Sequence, residues 1–428
     1  MVGVNTVSAA RSPTLNDIRC AGMSCDTEPR SVDVGDNARM RSCFAAAAIA
    51  LGSAAVLAQP RMSFDNPAIA RRLVQQLALQ PGERVLSIAH PGTFAALIPY
   101  IRYEVMRAGG TDLGVVDVIE EPVPASFDAA VLENGARAAR AGYKTMFRDV
   151  DAAIMLPGAN TSHPAYLAMQ DWLKDDLTER RGRRTIHFHW VEGGSAYPLA
   201  GQPLPPRVAI ETVYQQALLQ TDYRALADTE RRFAAALKSG EVRITSTGGT
   251  DLRFRAGDRP VNLQDGDASR SRSAGGSVLI DKEIELPAGA VRVAPIEDSV
   301  EGTIVFPPSQ WDGRPVSGLK LRFASGRVVA IAAVEGKEAV EAEMKKAGDA
   351  GHAFREFALG FNPLLAVPDR GPWIPYYGYG AGVVRLSLGD NTELGGRVGG
   401  GYVRWNFFTD LTVTVNGTAW TRAGKIIP

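Results

Sequence analysis

Two pairs of side chains in this sequence combine residue types and a spacing that suit a metal ion. His352 and Glu356 are four residues apart, which places both side chains on one face of a predicted helix. Together they would supply two ligands to a divalent cation. The alternative interpretation makes His352 a surface residue and pairs Glu356 with an arginine, for which the candidates are Arg355, Arg385 and Arg404.

The second pair is His187 and His189, which flank Phe188 on a predicted strand. Because successive side chains of a strand point to opposite faces, both imidazoles share one face, as in many metal sites. His90 ends an earlier predicted strand, and α/β sheets bind ligands at the carboxyl ends of their strands. The three histidines could therefore converge, depending on strand order. The alternative is that neighbours at the strand end satisfy these histidines.

An aromatic segment supplies candidate substrate-binding residues. Tyr376 and Tyr377 lie between Trp373 and Tyr379 in a stretch rich in proline and glycine. This composition suits a substrate-facing loop. It equally suits rings that pack into the core of a β-rich domain.

Several classes of protein are excluded by motif and composition. No Gly-x-Gly-x-x-Gly follows the first predicted strand, and the chain has no Gly-Lys-Ser/Thr phosphate loop and no Gly-x-Ser-x-Gly elbow. Lys plus Arg and Asp plus Glu both number 47, so no basic excess indicates a nucleic-acid partner. With 45% hydrophobic and 22% charged residues, the chain is globular rather than disordered, collagenous or coiled-coil.

Helical and strand patterns alternate through the first half of the chain. Predicted strands at 84–90, 112–119, 151–157 and 184–190 are separated by segments with apolar residues at helical spacing. Repeated strand–helix–strand units of this length build a parallel sheet. Residues 59–238 are therefore predicted to form an α/β domain, which ends with a helical pattern from about 209 to 238.

After Ser239 the pattern changes to short alternating runs punctuated by Gly, Asp and Pro. These runs are typical of antiparallel strands, and one helix is predicted near 336–358. The predicted fold class is thus an α/β N-terminal domain with a parallel sheet, followed by a β-rich α+β domain over 239–428.

The beginning of the chain indicates export. A short apolar run at 43–58 follows Arg39 and Arg41 and ends in small residues, which is the pattern of a secretory signal peptide. We assign 40–58 to this signal and 1–39 to a start-site extension; a buried core helix is the alternative. The three cysteines precede Ala58, and no later stretch is apolar enough to span a membrane. The mature protein is expected to be periplasmic or secreted and without cysteine.

A series of short motifs runs through the second half of the chain. The motifs are Gly249-Thr250-Asp251-Leu252, Arg259-Pro260-Val261, Leu286-Pro287-Ala288-Gly289, Val293-Ala294-Pro295, Ser299-Val300-Glu301-Gly302-Thr303-Ile304, Leu319-Lys320-Leu321-Arg322-Phe323, Gly326-Arg327-Val328-Val329, Glu356-Phe357-Ala358-Leu359-Gly360, Asn362-Pro363 and Leu388-Gly389-Asp390-Asn391. Each motif alone is weak, but their order over this length is specific. In this order they resemble the aminopeptidase T and aminopeptidase S family of metallo-aminopeptidases, and the α/β first half is compatible with the family.

The resemblance implies a two-domain exopeptidase with two metal ions in its second domain. Metal-bound water would attack the peptide carbonyl, and carboxylate and imidazole ligands would hold zinc, cobalt or, in a related branch, iron. Glu356 matches one ligand glutamate and is the candidate catalytic carboxylate. A tyrosine near Tyr376 and Tyr377 would face the substrate. A homodimer is also implied, because members of the family tend to be dimers.

The sequence departs from the family at the other ligand positions. Ala290 stands where the Leu-Pro-x-Gly-Glu motif has its glutamate, and Arg385 stands where a histidine is expected. The closing His-x-Asp is placed at Arg404-Trp405-Asn406. An arginine is always protonated and cannot donate a lone pair to a metal, although two arginines could hold a carboxylate or phosphate.

Three functions therefore remain open at this point. The first is an exported aminopeptidase-like hydrolase of small peptides or amides, with a divalent metal that the substitutions put in doubt. The second is a metal-free periplasmic protein that binds a peptide or an anionic small molecule through Arg385 and Arg404. The third is a relative of iron-dependent ring-cleaving dioxygenases, which would need histidines in the second domain, where His352 alone remains.

Overall fold

The computed structural model describes residues 63–427, apart from residues 91, 93, 118–125, 127, 159–162 and 193. The predicted signal peptide at 40–58, the extension at 1–39 and the three cysteines lie outside the described residues. Among the helices that are described, none is long and apolar enough to cross a membrane.

The described helices and strands alternate in the first half, and strands dominate the second half. The α-helices are α1 (Asn66–Leu77), α2 (Ile98–Arg107), α3 (Ala129–Phe147), α4 (Pro164–Glu179), α5 (Arg207–Gln220), α6 (Tyr223–Ser239), α7 (Arg270–Gly275) and α8 (Lys337–Ala347). The strands are β1 (Arg84–Ala89), β2 (Thr111–Asp117), β3 (Ala152–Met155), β4 (Arg184–Phe188), β5 (Tyr197–Pro198), β6 (Glu241–Thr245), β7 (Asp251–Arg255), β8 (Val261–Gln264), β9 (Glu283–Leu286), β10 (Ala290–Val293), β11 (Glu301–Val305), β12 (Ser309–Trp311), β13 (Arg314–Val316), β14 (Lys320–Ala324), β15 (Arg327–Ala332), β16 (Phe354–Gly360), β17 (Trp373–Ile374), β18 (Val384–Gly389), β19 (Val403–Phe408), β20 (Thr412–Val415), β21 (Thr418–Arg422) and β22 (Lys425–Ile426).

The first half forms the parallel sheet that the alternating pattern predicts. Its strand order is β2-β1-β3-β4-β9, and every neighbouring pair is parallel. Strands β1, β3 and β4 are buried almost throughout because helices cover both faces of the sheet: Leu73 of α1 packs into one hydrophobic core, and Trp172 of α4 packs into another. The last strand, β9, comes from beyond residue 239, so the second half of the chain completes the sheet of the first.

Two antiparallel sheets make up most of the second half, which confirms the predicted β-rich class. One is the five-stranded sheet β19-β18-β16-β10-β8, and the other is an eight-stranded sheet from β15 to β22. Aromatic rings pack between them, as shown by the 5.3 Å between the ring centroids of Phe254 on β7 and Phe357 on β16.

The helix predicted near 336–358 is shorter than expected. Helix α8 ends at Gly348, whose φ of 62° lies in the left-handed region that glycine adopts without strain. A 3-10 turn covers Gly348–His352, and β16 then pairs with β10 on one side and β18 on the other. The prediction that His352 and Glu356 share a helix is therefore wrong.

The helical pattern at 209–238 also divides, into α5 and α6. The carboxylate of Asp222 accepts hydrogen bonds from the backbone N–H groups of Arg224 and Ala225 and so begins a new helix there.

Candidate functional site

One face of the five-stranded sheet carries the charged residues of the candidate site. Residues that pair directly across antiparallel strands share a face, and the register joins Arg292 to Ala358 and Ala358 to Arg385. We call this the polar face. Its members from β10, β16, β18 and β19 include Ala290, Arg292, Glu356, Arg385, Ser387, Trp405 and Phe407.

Glu356 lies at the centre of the polar face and is completely buried. Its Oε1 accepts a hydrogen bond from Nε of Arg292 at 2.6 Å and another from Nη2 of Arg385 at 2.8 Å. Its Oε2 lies 3.8 Å from Nη1 of Arg355 and has no hydrogen-bond partner among the described residues. The alternative interpretation, in which Glu356 pairs with arginines, thus describes this carboxylate.

The three arginines keep Glu356 ionised. Burial by itself would raise its pKa, but the charges of Arg292, Arg385 and Arg355 outweigh burial and hold the pKa well below its ordinary value. Arg292 and Arg355 also both donate to Glu393, which joins the polar face to the 3-10 turn at Thr392–Leu394. The result is a closed network of guanidinium and carboxylate groups.

Arg404 does not belong to this network. It pairs with Leu388 across β18 and β19, whereas Arg385 pairs with Phe407, so the two arginines point to opposite faces. The Arg404 guanidinium lies 3.5 Å from the ring centroid of Trp311 and donates to Glu343 at 2.8 Å. The expectation that Arg385 and Arg404 line one anion site is corrected by this register.

The same register corrects the placement of the closing ligand motif. Trp405 and Phe407 are the β19 residues that face Glu356 and Arg385, while Arg404 and Asn406 face away. Neither an indole nor a phenyl ring supplies a lone pair to a metal ion.

Tyr376 and Tyr377 lie beside the polar face. The Tyr377 ring packs against Trp405 at 5.4 Å between centroids, and the Tyr377 carbonyl accepts a hydrogen bond from Arg385 at 3.2 Å. Both tyrosines have positive φ, 36° and 52°, which is uncommon for a residue other than glycine. Tyr376 is fully buried, and its hydroxyl has no hydrogen-bond partner among the described residues.

A second polar group lies along the neighbouring strands β4 and β9. His187 pairs with Glu285 across these parallel strands, so His187, Glu283 and Glu285 share one sheet face. Nε2 of His187 lies 3.9 Å from Oε1 of Glu283, which accepts a hydrogen bond from the side chain of Gln170. We call His187, His189, Glu283, Glu285 and Glu393 the acidic edge.

The acidic edge is linked to the polar face by two contacts. Tyr379 donates its hydroxyl hydrogen to Glu285, and Nη1 of Arg292 lies 3.9 Å from Oε1 of the same carboxylate. The ring of His189 lies 5.2 Å from that of Tyr377. The two groups therefore form one candidate site.

Burial and neighbouring charges together set the protonation states of the histidines and glutamates in this site. Burial is the main cause that lowers the pKa of His187 to about 3, with His189 adding to the effect. Burial also lowers the pKa of His189. Burial and the Glu393 charge raise the pKa of Glu283 to about 8. For Glu285 burial acts upward, but Arg292, His189 and the Tyr379 hydrogen bond bring the pKa below its ordinary value. Near neutral pH both imidazoles are uncharged, Glu283 holds a proton and Glu285 is ionised.

The remaining candidate histidines lie apart from this site. β3 separates β1 from β4, which places His90, at the end of β1, two strands from His189, or about 10 Å. His352 lies in the 3-10 turn before β16, where its Nδ1 is 3.3 Å from the carbonyl oxygen of Gly348. The hypothesis of three converging histidines therefore reduces to the pair His187 and His189.

Sequence reasoning missed Glu283, Glu285 and Arg292. The alternation of Glu283-Ile284-Glu285 before Leu286 indicates two carboxylates on one face of a strand. Arg292 lies two residues after Ala290, so strand alternation places it on the same face. These local patterns were visible, but the partners of the residues come from distant parts of the chain.

Part of the second half matches a known family model. Residues 221–364 match the model of peptidase family M29, the thermophilic metalloproteases. The M29 match includes α6 and the chain from β6 to β16, with Ala290 and Glu356, and ends before Arg385. No sequence among the curated proteins matches this chain.

Two solved structures have the same fold over most of the chain. One is 2,5-dihydroxypyridine dioxygenase from Pseudomonas putida KT2440, with a TM-score of 0.55 and 16% identity, covering 85% of this chain and 98% of the dioxygenase chain. The other is wild-type AmpT from Thermus thermophilus, with a TM-score of 0.54 and 16% identity, covering 85% of this chain and 99% of AmpT. At this identity the likeness establishes the fold alone.

A metalloprotease family implies a divalent metal, so the donor set must be tested against one. Within the parts of the chain that the structure describes, no three His, Cys, Asp or Glu side chains are placed so that they could hold a metal ion. On the polar face, Ala290 and Arg385 offer no lone pair, and Oε1 of Glu356 already accepts two charged hydrogen bonds. The residues present do not fit the M29 metal pair.

Proposed function

We propose that this protein is an exported binding protein that keeps the M29 peptidase fold and binds a small peptide or similar amide-bearing molecule without a two-metal centre. The observation that carries the proposal is the bonding of Glu356. Arg292 and Arg385 both donate to the one carboxylate that matches a metal ligand of the resembling family. Two fixed positive charges at this point repel a dication.

Unpartnered polar atoms support the binding of a ligand at this site. Buried polar groups are normally hydrogen-bonded, so atoms without partners mark places where a ligand or water completes the network. Around the polar face and the acidic edge, the buried atoms that find no partner among the described residues are His187 Nε2, Tyr197 Oη, Glu356 Oε2, Tyr376 Oη, Arg385 Nε, Ser387 Oγ and Trp405 Nε1.

We infer that the ligand is a peptide or amide and not a simple anion. The hypothesis of an anion site required two arginines on one side, and Arg404 lies on the other face, while Arg385 is already neutralised by Glu356. The tyrosines, the uncharged imidazoles and the mixed charges of the site suit a molecule with both donors and acceptors.

The test is elemental analysis and an activity assay on the same purified protein, expressed from Gln59 onward. We expect far less than one zinc, cobalt, manganese or iron ion per chain, and no chelator-sensitive release of p-nitroaniline from leucine p-nitroanilide. A near-stoichiometric metal, or hydrolysis that EDTA abolishes and metal restores, would favour aminopeptidase activity, the second candidate, which the M29 match supports.

The dioxygenase neighbour motivates one more arm of the experiment. Ferrous iron and 2,5-dihydroxypyridine are added in an oxygen electrode. Oxygen consumption that depends on both would contradict the binding-protein proposal.

Export is proposed separately on the signal-like segment at 40–58. Amino-terminal sequencing of the protein recovered from the periplasm should begin at or near Gln59. Recovery of uncleaved chain from the cytoplasm would contradict export.

A further inference from the structure

The three glutamates of the acidic edge are partly exposed. The side chains of Glu283, Glu285 and Glu393 are 13%, 21% and 30% exposed, although the ends of β4 and β9 and helix α4 surround them. His187 and His189 lie at the carboxyl end of β4, and α/β folds place ligands at that edge of the parallel sheet.

The charges around the acidic edge would not balance if Glu283 were ionised without a further cation. Arg292, Arg355 and Arg385 are the cations of the network, and each contacts Glu356. Arg292 and Arg355 also form ion pairs with Glu393. Among the described ion pairs of these three arginines, that of Arg292 is the one that includes Glu285. These arginines therefore face four carboxyl groups once Glu283 is added.

Glu283 is the carboxyl group without a cationic partner. Of the arginines and lysines that the structure describes, none lies within 4.0 Å of it. Its neighbours are the Gln170 amide, the His187 imidazole at 3.9 Å and, farther away, Glu285, Glu393 and Arg292. A buried carboxylate without a partner is unfavourable, so the group needs either a proton or a cation.

A second observation points to a ligand at the same place. Nε2 of His187 is buried, with the residue only 4% exposed, and it has no hydrogen-bond partner among the described residues. It faces Glu283. An uncharged imidazole nitrogen beside a carboxyl group can accept one N–H of a ligand while the carboxylate accepts another.

We propose that the acidic edge binds the ammonium group of a primary amine, with Glu283, Glu285 and His187 as its hydrogen-bond acceptors. This inference rests on the proposed binding function, because it names the charged end of the ligand. The ammonium supplies the positive charge that Glu283 lacks. The rings of Tyr166 and His189 lie around the same group.

Binding of the ammonium is expected to release a proton. Burial and Glu393 raise the pKa of Glu283 to about 8, so the free protein holds a proton on this carboxyl group at pH 7. An adjacent ammonium favours the ionised form, and the proton leaves to the buffer. Up to one proton per bound amine should appear.

The experiment compares L-alaninamide with its uncharged analogue N-acetyl-L-alaninamide. We expect L-alaninamide to raise the midpoint of thermal unfolding by at least about 2 °C at saturation, and the acetylated amide to leave it unchanged. Calorimetric titration at pH 7 in phosphate and in Tris should give heats that differ in proportion to the ionisation heats of the buffers, which counts the released protons.

Two variants make the test specific. Glu283→Gln should weaken L-alaninamide binding at least tenfold and remove the dependence on buffer. Glu338→Gln, an exposed glutamate on α8, should behave as the wild type. Equal effects of the two amides, or no binding of L-alaninamide up to about 10 mM, would overturn the proposal.

A cation site of another kind has a different signature. If manganese or zinc stabilises the protein and L-alaninamide does not, the acidic edge is a metal site and the ammonium proposal is wrong. The proposed function is contradicted by bound metal or by chelator-sensitive hydrolysis. The ammonium proposal is contradicted when a metal-free protein does not distinguish L-alaninamide from N-acetyl-L-alaninamide. The two failures are therefore distinguishable.

Discussion

Arg292 and Arg385 donate to the same carboxylate oxygen of Glu356, from the two strands that flank it. One buried anion is thereby held by two buried cations, in the place where the resembling peptidases are expected to hold metal. This arrangement neutralises the carboxylate through hydrogen bonds that are already made. It also explains why Glu356 stays ionised although it is fully buried.

Replacement of Glu356 by glutamine should destabilise the protein strongly. The amide cannot balance Arg292 and Arg385, and breaking a buried ion pair from one side costs about 3–5 kcal/mol. Urea unfolding of Glu356→Gln measures the loss, with the exposed Glu338→Gln as control. An unchanged free energy of unfolding would show that the network does not hold this region together.

Glu283 should make stability fall as pH rises above neutrality. Its pKa is about 8 in the folded protein, raised from an ordinary value of 4.5, so the native chain binds a proton that the unfolded chain releases. This contribution is fully present below pH 4.5 and is lost as pH rises through 8. Between pH 7 and 8.5 we expect a loss of about 1 kcal/mol.

Urea unfolding across that pH range, compared with Glu283→Gln, isolates the effect. His187 and His189 have lowered pKa values, so they are uncharged in the folded state and largely uncharged in the unfolded state above pH 7. The variant should lose the downward slope. A slope that persists in Glu283→Gln must come from another group and would refute this assignment.

Arg404→Gln should separate stability from ligand binding. Its guanidinium stacks on Trp311 and bonds to Glu343 on the face away from the candidate site, so we expect a loss of about 2 kcal/mol. Stabilisation by L-alaninamide should be unchanged, because none of these contacts reaches the polar face. Arg322→Gln, an exposed arginine on β14, is the matched control.

If Arg404→Gln instead abolishes the stabilisation by L-alaninamide without loss of stability, then Arg404 acts in ligand binding. The assignment of Arg404 to a face away from the candidate site would then be wrong. Thermal unfolding with and without the amide measures both quantities in one experiment.

Lys282 should be required to hold β9 in the parallel sheet. Its ammonium group donates to Asp176 of α4 at 2.8 Å, and both side chains are completely buried. Lys282→Met leaves the Asp176 charge with its backbone N–H donors alone, and we expect a loss of about 3 kcal/mol. Because Glu283 follows directly, L-alaninamide binding should weaken as well.

Lys174→Met on the same helix α4 serves as the control for that experiment. Loss of stability in Lys282→Met with full retention of amine binding would mean that the position of Glu283 does not depend on this ion pair.

The fold class could be predicted because hydrophobic spacing is a local property. Apolar runs at 84–90 and 184–190 indicate buried parallel strands, and the short alternating runs after Ser239 indicate antiparallel sheets; both patterns are present in the structure. The helix predicted near 336–358 is present only as α8, because β16 lies in the middle of a sheet. Its pairing with β10 and β18 overrides local helical spacing.

The sequence by itself also determined the side chains at two positions that the resemblance assigns to metal ligands: neither the Ala290 methyl group nor the Arg385 guanidinium offers a lone pair to a metal. Tertiary structure decided the rest, since a shift of one residue along a strand turns a side chain to the other face. That is why Arg385 meets Glu356 while Arg404 meets Trp311. Strand order brought Glu283 and Glu285 beside His187. Burial and the charges of residues distant in sequence, which no local pattern encodes, then set the protonation of the two glutamates.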